Sequence, residues 1–343
     1  MNWTAEALDR AEVILRRHTT STNAATEMGV GINALKNAFK RAGRGSLGQY
    51  LQAAPLPTFM GGPARVAAPV APVVDDIPIT IDEPIGVGWR VTEPVERVLF
   101  IPDCHFPHVD RVAWGCMLQC ARRFRPHRIV QLGDFLDCHT VSAHSRDPRH
   151  GTQLADEIAS ANEALDELDA LGATHKHFVE GNHETRLARY LKDKAPALLD
   201  SLQIERLLRL DERGWTFSHF GQSYRVHDTY ITHSVNGQAG ESAHHRAGQR
   251  FQRSVVIGHT HRVAQKVFGN VIGDHYTATM LGWLGRAVDA SYNHDAEKSA
   301  MWAHGFGVGY VDATGRMQIT PVPIVNGRAI LNGEIIEMVR DAA

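Results

Sequence analysis

The chain has 343 residues, 43% hydrophobic and 22% charged, with a formal net charge of −2. That length suggests about two units, and the near-neutral balance argues against a protein that coats nucleic acid over its whole surface, though not against a local basic patch. No apolar run long enough for a transmembrane helix occurs, and the N-terminus carries charges through its apolar positions, unlike a secretory signal.

In chain order, residues 1–52 read as a small helical unit. "TAEALDRAEVILRRH" has apolar residues at helical spacing, "TSTNAATEM" follows with Ser and Thr available as caps, and "INALKNAFKRAG" resumes after a Gly break. Helix, helix, short Gly turn, helix is the layout of a helix-turn-helix module. Ala25 and Gly29 fit its tight crossing and turn. Lys36, Lys40 and Arg41, with Arg44 just beyond and no acid between them, give the last stretch the charge of a helix that faces phosphates. DNA is the partner expected of this unit; a plain helical bundle with a solvated basic face, or an oligomerisation unit, is the alternative. "GVGINA" matches a dinucleotide fingerprint only formally, because a helix precedes it rather than a strand.

Residues 53–88 hold seven of the 15 prolines and read as an extended, semi-rigid linker. A second domain is expected over residues 89–343. The four cysteines, Cys104, Cys116, Cys120 and Cys138, form no Cys-x-x-Cys pair, so reduced thiols in a cytoplasmic protein are expected. Cys116 and Cys120, four apart in an expected helix, read as core packing.

The second domain repeats one grammar: a short β-rich apolar run, then polar residues able to bind metal. "RVLFIPDCH" ends in Asp103 and His105, "RIVQLGDFLD" in Asp134 and Asp137, and "HKHFVEGNHE" in Asn182, His183 and Glu184. "TYITHS" ends in His233 and "SVVIGHTH" in His259 and His261. Helical stretches "VAWGCMLQCARRF" and "LADEIASANEALDELDAL" separate the first three runs, which is the βαβ signature of a largely parallel sheet. In such sheets the polar residues at the carboxyl ends of strands gather on one edge, where ligands bind. Oxygen and imidazole donors without thiolate suit Mn²⁺, Fe²⁺, Zn²⁺ or Ni²⁺ better than Ca²⁺. The donors are too many for one tetrahedral zinc, and two divalent ions sharing a carboxylate fit the count. Such a pair turns water into hydroxide near neutral pH and neutralises phosphate charge.

"DCH", "GDFLD", "GNHE", "THS" and "GHTH", in that order over roughly residues 96–320, resemble the calcineurin-like metallophosphoesterase superfamily. The resemblance implies an α/β fold, a four-layer αββα sandwich, preceded here by the small all-α domain. It implies that Asp103, His105 and His261 hold one metal and that Asn182, His233 and His259 hold the other, Asp134 bridging both. His183 then protonates the leaving oxygen, with Asp137 orienting it, and Glu184 supports the loop. His227, His244 and His245 compete with His233, which "YIT" runs into directly.

Protein phosphatases of that superfamily carry Arg after the second Asp of "GDxxD"; Cys138 stands there, which weakens a protein-phosphatase reading. The nuclease branches more often have "GNHD" than "GNHE". Arg186, Arg189, Arg146 and His139 are candidates for substrate phosphate, each with a solvated helix face or loop as the alternative. The leading expectation is a two-metal phosphodiesterase or nuclease acting on DNA. A phosphomonoesterase or nucleotide hydrolase is the second, and a DNA-binding regulator with a degenerate phosphoesterase scaffold the third. Residues 281–295, "LGWLGRAVDASYNHD", read either as a substrate-facing loop or as a surface connection.

Overall fold

The computed structural model describes residues 3–16, 21–44, 47, 92–143, 153–236, 240–287 and 299–337. The expected linker over 53–88 and Arg146 lie outside these residues. The chain divides into two units, residues 1–87 and 88–343.

The first unit contains α1 (Ala5–Leu15), α2 (Ser21–Glu27) and α3 (Ile32–Arg41). Thr4 caps α1 by accepting from the Ala7 N–H at 3.2 Å. Leu8, Ala11 and Leu15, at three- and four-residue spacing, bury one stripe of α1 against Ala24, Ala25, Leu35 and Phe39. Gly29, at φ 64°, makes the turn after α2. Lys36, Lys40 and Arg41 are exposed on α3. Arg44 turns back onto α1 instead, its guanidinium 2.6 Å from Asp9 and 2.7 Å from Glu12.

The second unit opens with β1 (Glu96–Ile101), α4 (Arg111–Phe124), β2 (Arg128–Gln131), α5 (Leu154–Asp169) and β3 (His175–Val179). Then come α6 (Thr185–Lys194), α7 (Ile204–Leu207), β4 (Trp215–Ser218), β5 (Tyr224–Val226), β6 (Thr229–Thr232), α8 (Ala243–Phe251) and β7 (Ser254–Ile257). The strands β8 (Val263–Gly269), β9 (His275–Leu281), β10 (Gly305–Val311) and β11 (Met317–Pro323) complete two sheets, and β12 (Arg328–Leu331) with β13 (Glu334–Glu337) forms a hairpin. The six-stranded sheet runs β11-β10-β1-β2-β3-β4 and the five-stranded sheet β5-β6-β7-β9-β8. β1 to β4 are mutually parallel, as are β6, β7 and β9.

Strand alternation decides the layers. Val98, Phe100, Val130, Leu132 and Val179 point from the first sheet to Val226, Ile231, Val256 and Leu281 of the second. Leu99, Ile101, Ile129 and Phe178 point the other way, into a core with Cys116, Met117 and Cys120 of α4 and Ala161, Leu165 and Leu168 of α5. On the far side, Ala243 and Ala247 of α8 cover Val255, Ile257 and Ala278. The result is helix, sheet, sheet, helix: the expected αββα sandwich. Cys116 and Cys120 are buried core residues with free thiols. No helix among the described residues is long and apolar enough to cross a membrane.

At the amino ends of β1 and β2 a polar cluster ties the sheets together. Arg128 donates to Glu96 at 2.7 Å and to the Tyr224 hydroxyl at 2.9 Å, while His227 lies 2.5 Å from the other Glu96 oxygen. The His177 ring stacks on Tyr224 at 3.4 Å, and its two nitrogens meet the Thr216 and Ser218 hydroxyls at 2.6 and 2.9 Å. Burial, with the Arg128 charge nearby, pushes His177 down to about 4. The native state therefore holds this ring neutral where an unfolded chain would take up a proton. Its contribution is full above the ordinary histidine pKa of about 6.5 and is lost as pH falls towards 4. Between pH 7 and 5, wild type is expected to lose roughly 2 kcal/mol more stability than His177→Gln, measured by urea unfolding at both pH values.

Candidate metal centre

The five polar clusters follow the carboxyl ends of β1, β2, β3, β6 and β7, all on one edge of the sandwich. The chain must turn sharply there to aim side chains back over the sheet ends. His105, Asp134, His259 and His261 all adopt left-handed backbone, at φ 54°, 51°, 68° and 56°. Such conformations are unfavourable for residues other than glycine and collect at functional sites. Gly133, at φ 95°, passes so near His233 that a Cβ would lie 2.5 Å from its Nδ1. At Gly181 a Cβ would collide with the Asp134 backbone and carboxylate. These glycines let the "GD" and "GN" loops touch.

Three groups of potential ligands result among the described residues, one of them His105, Asp137 and His183. Asp103, His105 and His261 each offer an atom within 4.8 Å of the others, and so do Asp134, His233 and His259. The His105 and His261 Nε2 atoms are 3.2 Å apart, and His261 Nε2 is 3.1 Å from Asp103 Oδ2. In the second set His233 Nε2 lies 3.2 Å from Asp134 Oδ2 and 3.0 Å from Asn182 Oδ1, so Asn182 joins it. The charges of His233, His183 and His105 all act on the Asp134 carboxylate.

The donor set fits divalent metal ions, and the tautomers support the fit. Asp137 Oδ1 lies 3.0 Å from His105 Nδ1 and can only accept, so Nδ1 carries the hydrogen and Nε2 presents a lone pair to His261. The Leu132 carbonyl does the same for His233, accepting from Nδ1 at 2.8 Å. Imidazole ligands held by an acceptor on the other nitrogen are characteristic of metal sites. Cys104 and Cys138 take no part: burial pushes both thiols up, and the Cys104 thiol donates to the Pro102 carbonyl at 3.2 Å.

Charge tells the same story. Burial alone would raise Asp103 and Asp134, but the imidazoles around them, His261 for the first and His233 for the second, hold both below the usual carboxylate range. Burial would likewise lower His233, yet Asp134 outweighs it and lifts His233 to about 10. His259, buried beside that charge, falls to about 4. The carboxylates thus favour positive charge beside them.

Glu184 holds the loops together from below. Fully buried, it accepts from the N–H groups of Asp134 at 3.0 Å, Gly181 at 2.8 Å and Leu136 at 2.8 Å. Burial and then the Asp134 charge push its carboxyl up to about 7.

His183 lies at the centre with His105 and Asp137, outside the two groups that hold Asp103 and Asp134. Its Nδ1 is 2.8 Å from Asp137 Oδ1 and 2.9 Å from the Asp137 carbonyl, and its backbone N–H donates to Asp134 at 2.8 Å. Arg186 reaches the same place, donating to His183 Nε2 at 2.8 Å and to the Asp137 carbonyl at 2.9 Å. Arg189 does not; it lines a neighbouring cavity of about 500 Å³ with Glu180, Lys192 and Phe220. His139 is buried, its ring 6.5 Å from His108, and so is Cys138. Of the competitors to His233, His227 pairs with Glu96 between the sheets and His245 sits beside Lys266. His244 lies on α8.

Two features escaped sequence reasoning. Asp137 orients His105 as well as His183; nothing in "GDFLD" shows a second partner. The Trp283 ring stacks on His261 at 4.5 Å and 10°, and Trp302 meets it edge-on at 4.6 Å. The "LGWLGR" run, with tryptophan between two glycines, was the available signal. Residues 281–287 are pinned to the centre through Leu284, whose N–H donates to the Asp103 carbonyl at 2.7 Å; residues 288–295 lie outside the described set.

An αββα sandwich with a buried histidine and carboxylate centre suited to divalent ions defines the class of protein. No protein-family model matches the chain. The Gene 54 protein of Mycobacterium phage D29 is 30% identical over 260 residues, covering 71% of this chain and 99% of that protein. The Gene 54 protein of Mycobacterium phage L5 is 28% identical over 262 residues, with the same coverage. The chain belongs to this family of phage Gene 54 proteins. Among solved structures, a single mutant of Vps29 from Entamoeba histolytica has a TM-score of 0.36 at 15% identity, covering 70% of this chain and 95% of that one. YfcE, a phosphoesterase from E. coli, has a TM-score of 0.33 at 13% identity, with coverage of 65% and 98%.

Glu184→Gln puts an NH₂ against backbone N–H donors and strips at least one of its acceptor. It is expected to cost about 1–3 kcal/mol, read as a lower midpoint of denaturant unfolding.

Proposed function

We propose that the chain is a metal-dependent phosphoester hydrolase of the calcineurin-like class, acting on phosphodiester or terminal phosphate bonds of DNA. One observation carries the hydrolase reading: Asp103, His105 and His261 form one potential ligand group and Asp134, His233 and His259 another, with His183 held beside them by Asp137 and Asp134.

Asp103, His105 and His261 would hold one ion, Asn182, His233 and His259 the other, with Asp134 shared. Mn²⁺ is the first candidate for both, with Fe²⁺, Zn²⁺ and Ni²⁺ behind it. When bound, such a pair acidifies water for attack on phosphorus and offsets the charge on the phosphate oxygens.

The chain's own residues supply the rest. Asp137 keeps the Nδ1 hydrogen of His183 directed inward, so only Nε2 can exchange a proton with substrate. In the free protein Arg186 donates to that Nε2. A phosphate oxygen is the better acceptor for a guanidinium, so an arriving ester draws Arg186 away and leaves Nε2 able to carry a proton. As the P–O bond breaks, Nε2–H passes its proton to the leaving alkoxide; water supplies the hydroxyl that stays on phosphorus. The products are a phosphate, or phosphate monoester, and an alcohol.

Support for DNA as substrate comes from the first unit, where Lys36, Lys40 and Arg41 stand exposed on α3. Arg44, paired with Asp9 and Glu12, contributes less charge to that face. A phosphomonoesterase with the first unit used for self-association is the second reading; buried Cys138 in place of the protein-phosphatase arginine weighs against a phosphoprotein substrate.

The protein with Mn²⁺ should be assayed on aryl mono- and diesters, nucleotides, and single- and double-stranded DNA. His183→Ala is expected to lower kcat by about 10²- to 10⁴-fold with metal content unchanged. Arg186→Ala should raise KM about ten-fold, the loss of one charge-assisted contact. Strong monoester turnover without any diester turnover would replace the nuclease reading. Deletion of residues 1–52 should weaken DNA binding in a gel-shift titration while aryl-ester turnover persists; unchanged DNA affinity would remove the role given to α3.

A further inference from the structure

The imidazoles of the centre are not all held in the same way. His105 is fixed through Nδ1 by Asp137 at 3.0 Å, and His233 through Nδ1 by the Leu132 carbonyl at 2.8 Å. His261 Nε2 lies 3.1 Å from Asp103 Oδ2 and 3.2 Å from His105 Nε2, but among the described residues no hydrogen bond reaches its Nδ1. A ring with no acceptor on its other nitrogen needs a different restraint to stay in the orientation of a ligand.

Trp283 provides it. The residue is 3% exposed, and its indole lies flat on His261, with ring centres 4.5 Å apart at 10°. The same indole meets His105 edge-on at 6.0 Å and 75°, so it borders both imidazoles of the Asp103 group. Its backbone is tied to both ligand loops. The Trp283 N–H donates to the Ala303 carbonyl at 3.1 Å, and the Ala303 N–H to the His261 carbonyl at 2.9 Å. The next residue, Leu284, donates to the Asp103 carbonyl at 2.7 Å. Gly285 lies against the indole, where a Cβ would overlap its six-membered ring. His259, in the Asp134 group, has no such wall. It is half-buried and meets His233 edge-on at 5.2 Å and 74°, and among the described residues no ring stacks flat on it.

We propose that Trp283 is a positioning residue for metal binding: its indole fixes the His261 ring and thereby sets the affinity of the group Asp103, His105 and His261 for a divalent ion. The proposal rests on the metal reading above and extends it, because the two groups then differ in how far their ligands are set before an ion arrives. Stacking restrains the imidazole without competing for its nitrogens. Less orientational freedom is lost when the ion binds, and affinity rises accordingly.

The test measures Mn²⁺ bound to the full-length protein in equilibrium dialysis against chelator-buffered Mn²⁺, so no turnover is needed. His259→Ala isolates the Asp103 group, and Asp103→Ala isolates the Asp134 group. In the first background Trp283→Leu, which keeps apolar volume but offers no flat face, should weaken Mn²⁺ binding about ten-fold, as loss of a group that orients a metal ligand does. Trp283→Phe should restore most of the affinity. In the second background Trp283→Leu should change nothing. Gly285→Ala crowds the indole without removing it, should weaken binding in the first background only, and decides the matter if Trp283→Leu unfolds. Affinity unchanged by a folded Trp283→Leu variant, a loss that Trp283→Phe does not restore, or an equal loss in both backgrounds overturns the inference. So does a His259→Ala protein that takes up no Mn²⁺, because a group set in advance binds without its neighbour. Wild type that takes up no Mn²⁺ would sink the metal reading itself, and this inference with it.

Discussion

Buried carboxylates crowded at one edge of two sheets are the constraint on which the rest of this structure depends. Asp103, Asp134 and Asp137 are removed from water at the ends of β1 and β2, where an ionised carboxylate is costly unless positive charge or hydrogen-bond donors surround it. The imidazoles supply both, and the Asp134 charge pushes the His233 imidazole up despite its burial. A divalent ion answers the same demand with more charge in less space. The left-handed turns at His105, Asp134, His259 and His261, and the glycines that let the loops touch, are what it takes to bring those groups together.

Around that knot, single groups serve two partners at once. Asp137 fixes both His105 and His183, so the orientation of a candidate ligand and of the candidate proton donor depends on one oxygen. Glu184 gathers three backbone N–H groups from two loops and so links the "GD" and "GN" segments that hold Asp134 and Asn182. Arg186 joins His183 to the Asp137 carbonyl. The loop edge is consequently a network in which removal of one member disturbs several. The polar cluster of Glu96, Arg128, Tyr224, His177 and His227, at the opposite end of the strands, holds the two sheets without sharing any member with the centre.

The sandwich makes such a knot possible because its two sheets present parallel strands to the same edge. β1, β2 and β3 arrive from one sheet and β6 and β7 from the other. The apolar layer between them, with Val98, Phe100, Val130 and Leu132 against Ile231 and Val256, sets the separation of the loops. A shift of one residue in any of these strands would turn its ligand-bearing loop away.

Local pattern determined much of this. Apolar runs ending in Asp, His or Asn set the strands and named the residues that meet at their ends, since alternation and loop placement follow from backbone geometry and the hydrophobic effect alone. The same local chemistry marked the three helices of the first unit and the burial of Cys116 and Cys120. What it left open depended on contacts between residues far apart in the chain. That Asp137 serves two histidines, that Arg44 folds back on Asp9 and Glu12, and that Arg186 faces the centre while Arg189 lines another cavity are all of this kind. Trp283 and Trp302, well separated from His261 in the chain, reach it only because a strand and its return bring them back. A sequence specifies which groups a segment can offer; which groups they meet is decided by the packing of sheets, and that distance information exists only in three dimensions.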